Sequence, residues 1–215
     1  MKVDALSDIL NFILHMDQYL GPLVQTYGFW VYLIFFVVIF SETGFVITPF
    51  LPGDSLLFVA GWLASLGSLD IWMLIIVFSL AAILGDTVNY FLGKYFGPRI
   101  FNRNRFFRKE YLDDAHVFFE KHGGKSVVLA RFIPFIRTFV PFTAGMGSMN
   151  YSRFIIYNIF GGILWVGTFL SAGYFFGNIP IVKDNLSLII IAIVVVPVIT
   201  AIAKYLTIKK KKINS

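Results

Sequence analysis

The chain contains no cysteine, so disulfide frameworks, thiolate zinc sites and thiol redox chemistry are all excluded. Charge is scarce as well. Only 14% of the 215 residues are Asp, Glu, Lys or Arg, against 58% hydrophobic ones, and a soluble domain has too little interior to hide that much apolar side chain. The strict apolar/polar alternation of a lipid-facing β-barrel is missing, which leaves helices as the way to satisfy the backbone in a bilayer. The three histidines, His15, His116 and His122, have no metal-ligand spacing, so no metal and no other cofactor is expected. The N-terminal MKVDALSDIL lacks a positive n-region and a small-residue cleavage site, so it reads as mature protein.

What is present is a mean hydropathy of +0.78 and several apolar runs near the roughly 18 to 20 residues that cross a bilayer as a helix. The fold class is therefore an all-α polytopic membrane protein. The net charge of +6 does not point to nucleic acid, because the basic residues gather beside apolar runs, where the positive-inside bias puts them.

In chain order, residues 3–20 place Leu6, Ile9, Leu10, Ile13 and Leu14 on one face of an amphipathic interfacial helix, with Asp4, Asp8 and Asp17 elsewhere. Residues 28–67 read as a re-entrant helical hairpin. An uncharged run meets Glu42, then Pro49, Pro52 and Gly53 break the helix before it resumes after Asp54. Residues 71–92 form a full span carrying Asp86 and Asn89 near its C-terminal end. The segment 94–125, with eight Lys or Arg against four acids, is a cytoplasmic basic loop with an amphipathic helix near 110–122. Residues 126–147 form a second hairpin, broken at Pro134 and Pro141 and containing Arg131 and Arg137. Spans at 154–176 and 186–203 follow, and the basic tail 204–215 places the C-terminus in the cytoplasm. The whole chain is one membrane domain with about three full spans.

An internal repeat runs through this order. Hairpin, Ala60-Gly61, span and Gly93-Lys94-Tyr95-Phe96-Gly97 recur as hairpin, Ala144-Gly145, span and Gly173-Tyr174-Phe175-Phe176-Gly177. With one hairpin entering from each side, the repeats are inverted, an arrangement that puts transport sites where broken helices meet near the midplane.

Glu42, Asp54, Arg131 and Arg137 each cost roughly 2.5 to 3.5 kcal/mol at the bilayer centre on the insertion scale. They must pair or line a hydrated cavity. A break at Pro134 frees both arginines to converge, and two guanidinium forks suit a phosphate or carboxylate. Glu42 and Asp54 are then candidates for proton carriers competing with the anion for the arginines. The plainer reading is a structural lock, with Glu42–Arg137 and Asp54–Arg131, or the crossed pairs, as buried salt bridges. Asp86 and Asn89 are secondary candidates, Asp86 reaching water or pairing with Lys94.

Three ordered motifs carry a family resemblance: E-x6-P-x2-P-G-D from Glu42 to Asp54, G-D-x3-Y-x2-G-K-x2-G from Gly85 to Gly97, and R-F-x-P-x2-R-x3-P-x2-A-G from Arg131 to Gly145. Over residues 25 to 180 the chain resembles the DedA family, also called the SNARE-associated or VTT-domain family. The resemblance implies two opposed re-entrant hairpins and movement of lipids across the membrane. Bacterial members are linked to recycling of undecaprenyl phosphate for cell-envelope synthesis with dependence on the proton gradient, and eukaryotic relatives to phospholipid scrambling. The family's essential acidic pair matches Glu42 and Asp54, and its arginine pair Arg131 and Arg137.

The expected function is a non-enzymatic translocase of undecaprenyl phosphate or a similar lipid phosphate in the cytoplasmic membrane, coupled to protons, with membrane lipid as its partner. A homodimer is left open. Competing readings are a proton-coupled transporter of small ions or drug cations, a general phospholipid scramblase, and an enzyme acting on lipid phosphates, which lacks a nucleophile cluster.

Overall fold

The computed structural model describes residues 27–45, 53–101, 117, 119, 121–133, 136–147, 149–177, 179 and 180. The amphipathic helix at 3–20, the span at 186–203, the basic tail and most of the loop after Phe101 lie outside the described residues. So do Pro49, Pro52 and Pro134. Within them the chain is helical: α1 Phe29–Gly44, α2 Gly53–Ser65, α3 Ile71–Phe101, the short α4 Ser126–Ala130, α5 Ile136–Met146 and α6 Tyr151–Phe176. Two stretches, Ile71–Gly97 and Tyr151–Phe176, are long and apolar enough to cross a membrane.

Local chemistry sets the boundaries. α2 closes in a Schellman arrangement, Gly67 N–H donating to Ala64 O and Ser68 N–H to Leu63 O at 3.0 Å each, with Gly67 at φ +74°, where a side chain is disfavoured. α3 starts at once, because the Asp70 carboxylate accepts the Met73 N–H at 2.7 Å as an N-cap. The Asn150 side chain does the same for α6, accepting the Ser152 N–H at 2.9 Å. That cap explains why α6 starts at Tyr151, three residues ahead of the apolar run at 154.

Two expectations need correction. The helix expected over 71–92 continues to Phe101, so Asp86 and Asn89 lie well inside it rather than near its end. Pro141 is not a break. It sits within α5, in a stretch buried from Thr138 to Gly145, where packing holds a helix that has lost one backbone donor.

The chain forms two compact units. In the first, comprising residues 1–32, 54–74 and 169–215, α2 lies on the end of α6 with backbones nearly touching. A Cβ on Gly61 would strike the Leu170 carbonyl and the Tyr174 nitrogen, one on Gly173 the Phe58 carbonyl, and one on Gly177 the Trp62 side chain. In the second unit, residues 33–53 and 75–168, α5 lies on α3 in the same register. A Cβ on Gly145 would strike the Tyr90 carbonyl and the Lys94 nitrogen, one on Gly93 the Phe142 carbonyl, and one on Gly97 the Met146 side chain. The internal repeat is thus a repeat of contacts. Each of the short helices α2 and α5 packs on the long helix that belongs to the other half of the sequence, through small residues of the kind that let membrane helices approach closely.

The second unit has its own core. Tyr90, Val127, Ala130, Phe139, Val140, Phe142, Ala144 and Phe154 are all buried, and the Tyr90 and Phe154 rings stack 4.5 Å apart. The Tyr90 hydroxyl donates to the Met149 carbonyl. Large apolar side chains such as Trp72, Ile76, Ile156, Phe160 and Phe175 point outward, which suits a hydrocarbon surrounding.

Candidate anion pocket between two buried ion pairs

Four charged side chains that water would normally solvate are held inside the second unit. Glu42, in the last turn of α1, is fully buried and pairs with Arg137 in the first turn of α5. The Arg137 guanidinium also lies over the Trp165 ring, 5.2 Å from its centre, a distance at which the ring face attracts a cation. Gly53 is the close neighbour of the Glu42 carboxylate: a side chain there would overlap Oε2, so the Pro-Gly-Asp motif leaves room for the acid.

Arg131 follows the last residue of α4. Its Nη2 lies 2.5 Å from Oδ2 of Asp86 on α3, with both side chains 4% exposed, and donates also to Oδ1 of Asn158 on α6 at 2.6 Å. The Asn158 amide is fixed in turn, its Nδ2 donating to the Ile83 carbonyl at 3.0 Å and reaching Thr87 Oγ1 at 3.4 Å. Gly161 and Gly162 make the slot for this arginine; a Cβ on Gly161 would stand 3.3 Å from its Cδ and Nε. A charge held this way leaves no uncompensated ion in a low-dielectric interior.

Asn89 ties the surrounding backbone together. Its Nδ2 donates to the Thr43 carbonyl at the end of α1, 3.0 Å away, and to the Thr138 carbonyl of α5 at 2.6 Å. Thr43, Thr138, Asp86, Arg131, Arg137 and Trp165 line one cavity of about 10 Å³, room for roughly one water molecule. Chemically this is a pair of guanidinium groups, each paired with a carboxylate, with hydroxyls and an indole on the wall. It can exchange one anion for another with little change in buried charge.

Of the residues singled out in the sequence, the structure brings together Glu42, Asp86, Asn89, Arg131 and Arg137. The carboxylate on Arg131 is Asp86, in place of the expected Asp54 or Glu42, and Asp86 does not reach water. Asp54 lies in the first turn of α2, half-buried, in the first unit. Asn158, Thr43, Thr138 and Trp165 were missed. For Asn158 the signal existed: a polar amide in a run otherwise free of polar side chains from Phe154 to Leu164, apart from Tyr157. Among the described residues no three His, Cys, Asp or Glu converge as a metal cluster would require.

A family profile for the VTT domain matches residues 51–175. Protein DedA of Escherichia coli K12 is 51% identical over 212 residues, 97% of each chain. A membrane protein of Mycobacterium leprae is 46% identical over 168 residues, 77% of this chain and 75% of its own. The inner membrane protein YqjA of Escherichia coli is 34% identical over 186 residues, 84% of each. No solved structure matches. With more than half of the chain matched by the family profile and nearly all of it by a relative of this identity, the protein belongs to the DedA family of VTT-domain membrane proteins.

Proposed function

We propose that this protein is a transporter rather than an enzyme, and that it translocates undecaprenyl phosphate, or a lipid phosphate like it, across the cytoplasmic membrane. The observation that carries the reading is the meeting of two largely buried arginines, each held by a carboxylate, on one cavity. A guanidinium keeps its charge at any physiological pH and binds phosphate oxygens in a planar fork. The head group binds by displacing the carboxylates that now hold the arginines, while a polyprenyl tail stays in lipid against outward side chains such as Phe160 and Phe175.

Because the arginines already have partners, binding is an exchange. A carboxylate that takes up a proton no longer competes for its arginine, which links ligand affinity to the proton gradient through Glu42. The two re-entrant hairpins, about three spans and a cytoplasmic C-terminus belong to this reading, which takes its membrane setting from the relative named an inner membrane protein.

The test is accessibility. Labelled undecaprenyl phosphate on the inner leaflet of liposomes becomes reachable from outside when the protein is present, and not with Arg137→Ala. Equal accessibility in the two samples sinks the translocase mechanism, and release of inorganic phosphate points to an enzyme instead.

A further inference from the structure

We infer that Asp86 is an internal competitor of the ligand: its carboxylate, with the Asn158 amide oxygen, occupies the part of Arg131 that an incoming anionic head group must take. The inference rests on the lipid-phosphate reading of the pocket and adds to it a residue, Asp86, and a second exchange step beside the one at Glu42 and Arg137.

The geometry of Arg131 is what separates a competitor from a lock. Arginine–carboxylate pairs are frequently bidentate, the carboxylate engaging the planar fork through two parallel hydrogen bonds. Here the side-chain bonds of Arg131 fall on a single nitrogen, Nη2, which serves Asp86, Asn158 and, at 3.5 Å, the Ala82 carbonyl. Its Nε is buried and has no hydrogen-bond partner among the described residues. A buried donor left unused carries a desolvation cost that a better ligand relieves.

A phosphate oxygen set entering from the cavity relieves it. Three oxygens on one phosphorus span the Nε and Nη2 positions together, which the single Asp86 oxygen does not. Each neighbour fits this exchange. Asn158 stays anchored by Ile83 and Thr87 after Asp86 leaves, and the slot at Gly161 and Gly162 keeps the guanidinium plane from being blocked. The other charged group lining the cavity is Arg137, already neutralised by Glu42. Asp86 is tethered to α3 and stays buried, so the exchange balances when its carboxylate takes up a proton as the anion binds: the charge Asp86 gives up is replaced by that of an anion with more acceptors.

The experiment measures binding of radiolabelled dodecyl phosphate to the purified full-length protein in nanodiscs of uncharged lipid. Asp86→Asn removes the competing charge and keeps the side chain's shape, so it binds the probe roughly tenfold tighter or more, the scale of one hydrogen bond to a charged group. Asn158→Asp adds a second carboxylate on Nη2 and binds about tenfold weaker. Arg131→Gln in the Asp86→Asn background removes the gain. If Asp86 is only structural, Asp86→Asn lowers the unfolding temperature and leaves affinity unchanged or weaker, which overturns the inference while wild-type binding leaves the translocase reading intact. Absence of saturable binding in wild type and Asp86→Asn alike overturns both. Should Asp86→Asn not fold, Asn158→Asp decides: weakened binding supports the competition and unchanged binding overturns it.

Discussion

Asp86 on α3 and Arg131 at the end of α4 meet at 2.5 Å with almost no exposed side chain, although 45 positions separate them in the sequence. The contact fastens the end of α4 to the long helix α3 beside it. It stands next to a similar one, since Glu42 on α1 and Arg137 on α5 form a pair of the same polarity at the same cavity. Each arginine sits in the segment from 131 to 137 and each acid comes from outside it, so that segment is clasped by α3 at one end and α1 at the other.

Breaking either pair strands a charge. Arg131→Met and Asp86→Leu, made singly, each lose about 3–5 kcal/mol of stability, because the partner is left buried and uncompensated. The double variant loses less than the sum, with a coupling of roughly 1 kcal/mol or more for groups in direct contact. Reversible unfolding in mixed detergent micelles reads these values. Strict additivity shows that the two side chains do not depend on each other.

The glycine contacts predict matched defects in the two units. Gly93→Ala forces a methyl against the Phe142 carbonyl and Gly173→Ala forces one against Phe58, each costing about 1–3 kcal/mol as overpacking. Gly167→Ala is the control. Among the described residues nothing beyond its own stretch of helix lies within 4 Å of its Cβ position, and alanine gains up to about 1 kcal/mol in helix propensity. The same unfolding assay checks all three, and a Gly167→Ala defect as large as that of Gly93→Ala refutes the packing argument.

Those glycines also show where the sequence was legible. The paired GxxxG motifs stand in matching places of the two halves, and α2–α6 and α3–α5 use them in the same register. Arg131, Arg137 and Glu42 stood out because a charge in an apolar run demands a partner. Which partner it finds is a tertiary fact. The apolar run alone ends at Leu92 and so puts Asp86 near a boundary, whereas Gly93 and Gly97 are packing positions inside a longer helix. Pro141 misled for the opposite reason: the cost of a missing donor is local, while the burial that outweighs it comes from α3 and the rest of the core. Asn158 passed unnoticed because an amide carries no charge, and only its contact with Arg131 gives it importance.

Asn89 holds the backbones of α1 and α5 together through one amide group. Asn89→Leu removes the donor to the Thr43 and Thr138 carbonyls and leaves the tie between α1 and α5 unmade, at a cost of about 1–3 kcal/mol. Asn89→Asp is worse than Asn89→Leu in this respect, since a carboxylate oxygen faces a carbonyl oxygen where a donor stood. The order of stability, wild type above Asn89→Leu above Asn89→Asp, is checked by thermal unfolding in detergent. An Asn89→Asp variant as stable as wild type shows that these two hydrogen bonds contribute nothing.

Glu42 is the residue on which proton coupling depends in the proposed mechanism. Its carboxylate is fully buried, and among the described residues neither oxygen has a hydrogen-bond partner beyond the ion pair with Arg137, so its strong interaction is with the group proposed to bind substrate. Protonation ends that attraction and leaves Arg137 to the ligand. Glu42→Gln imitates the protonated state permanently. Lipid-phosphate transfer in proteoliposomes then loses its dependence on an imposed pH gradient, while Arg137 remains able to bind the head group. Asp86→Asn leaves the Glu42 exchange in place, so some response to the gradient survives there. The measurement is transfer rate against imposed pH difference for wild type and the two variants. A pH dependence in Glu42→Gln equal to that of wild type removes Glu42 from the coupling mechanism, whatever the affinity of the pocket for phosphate.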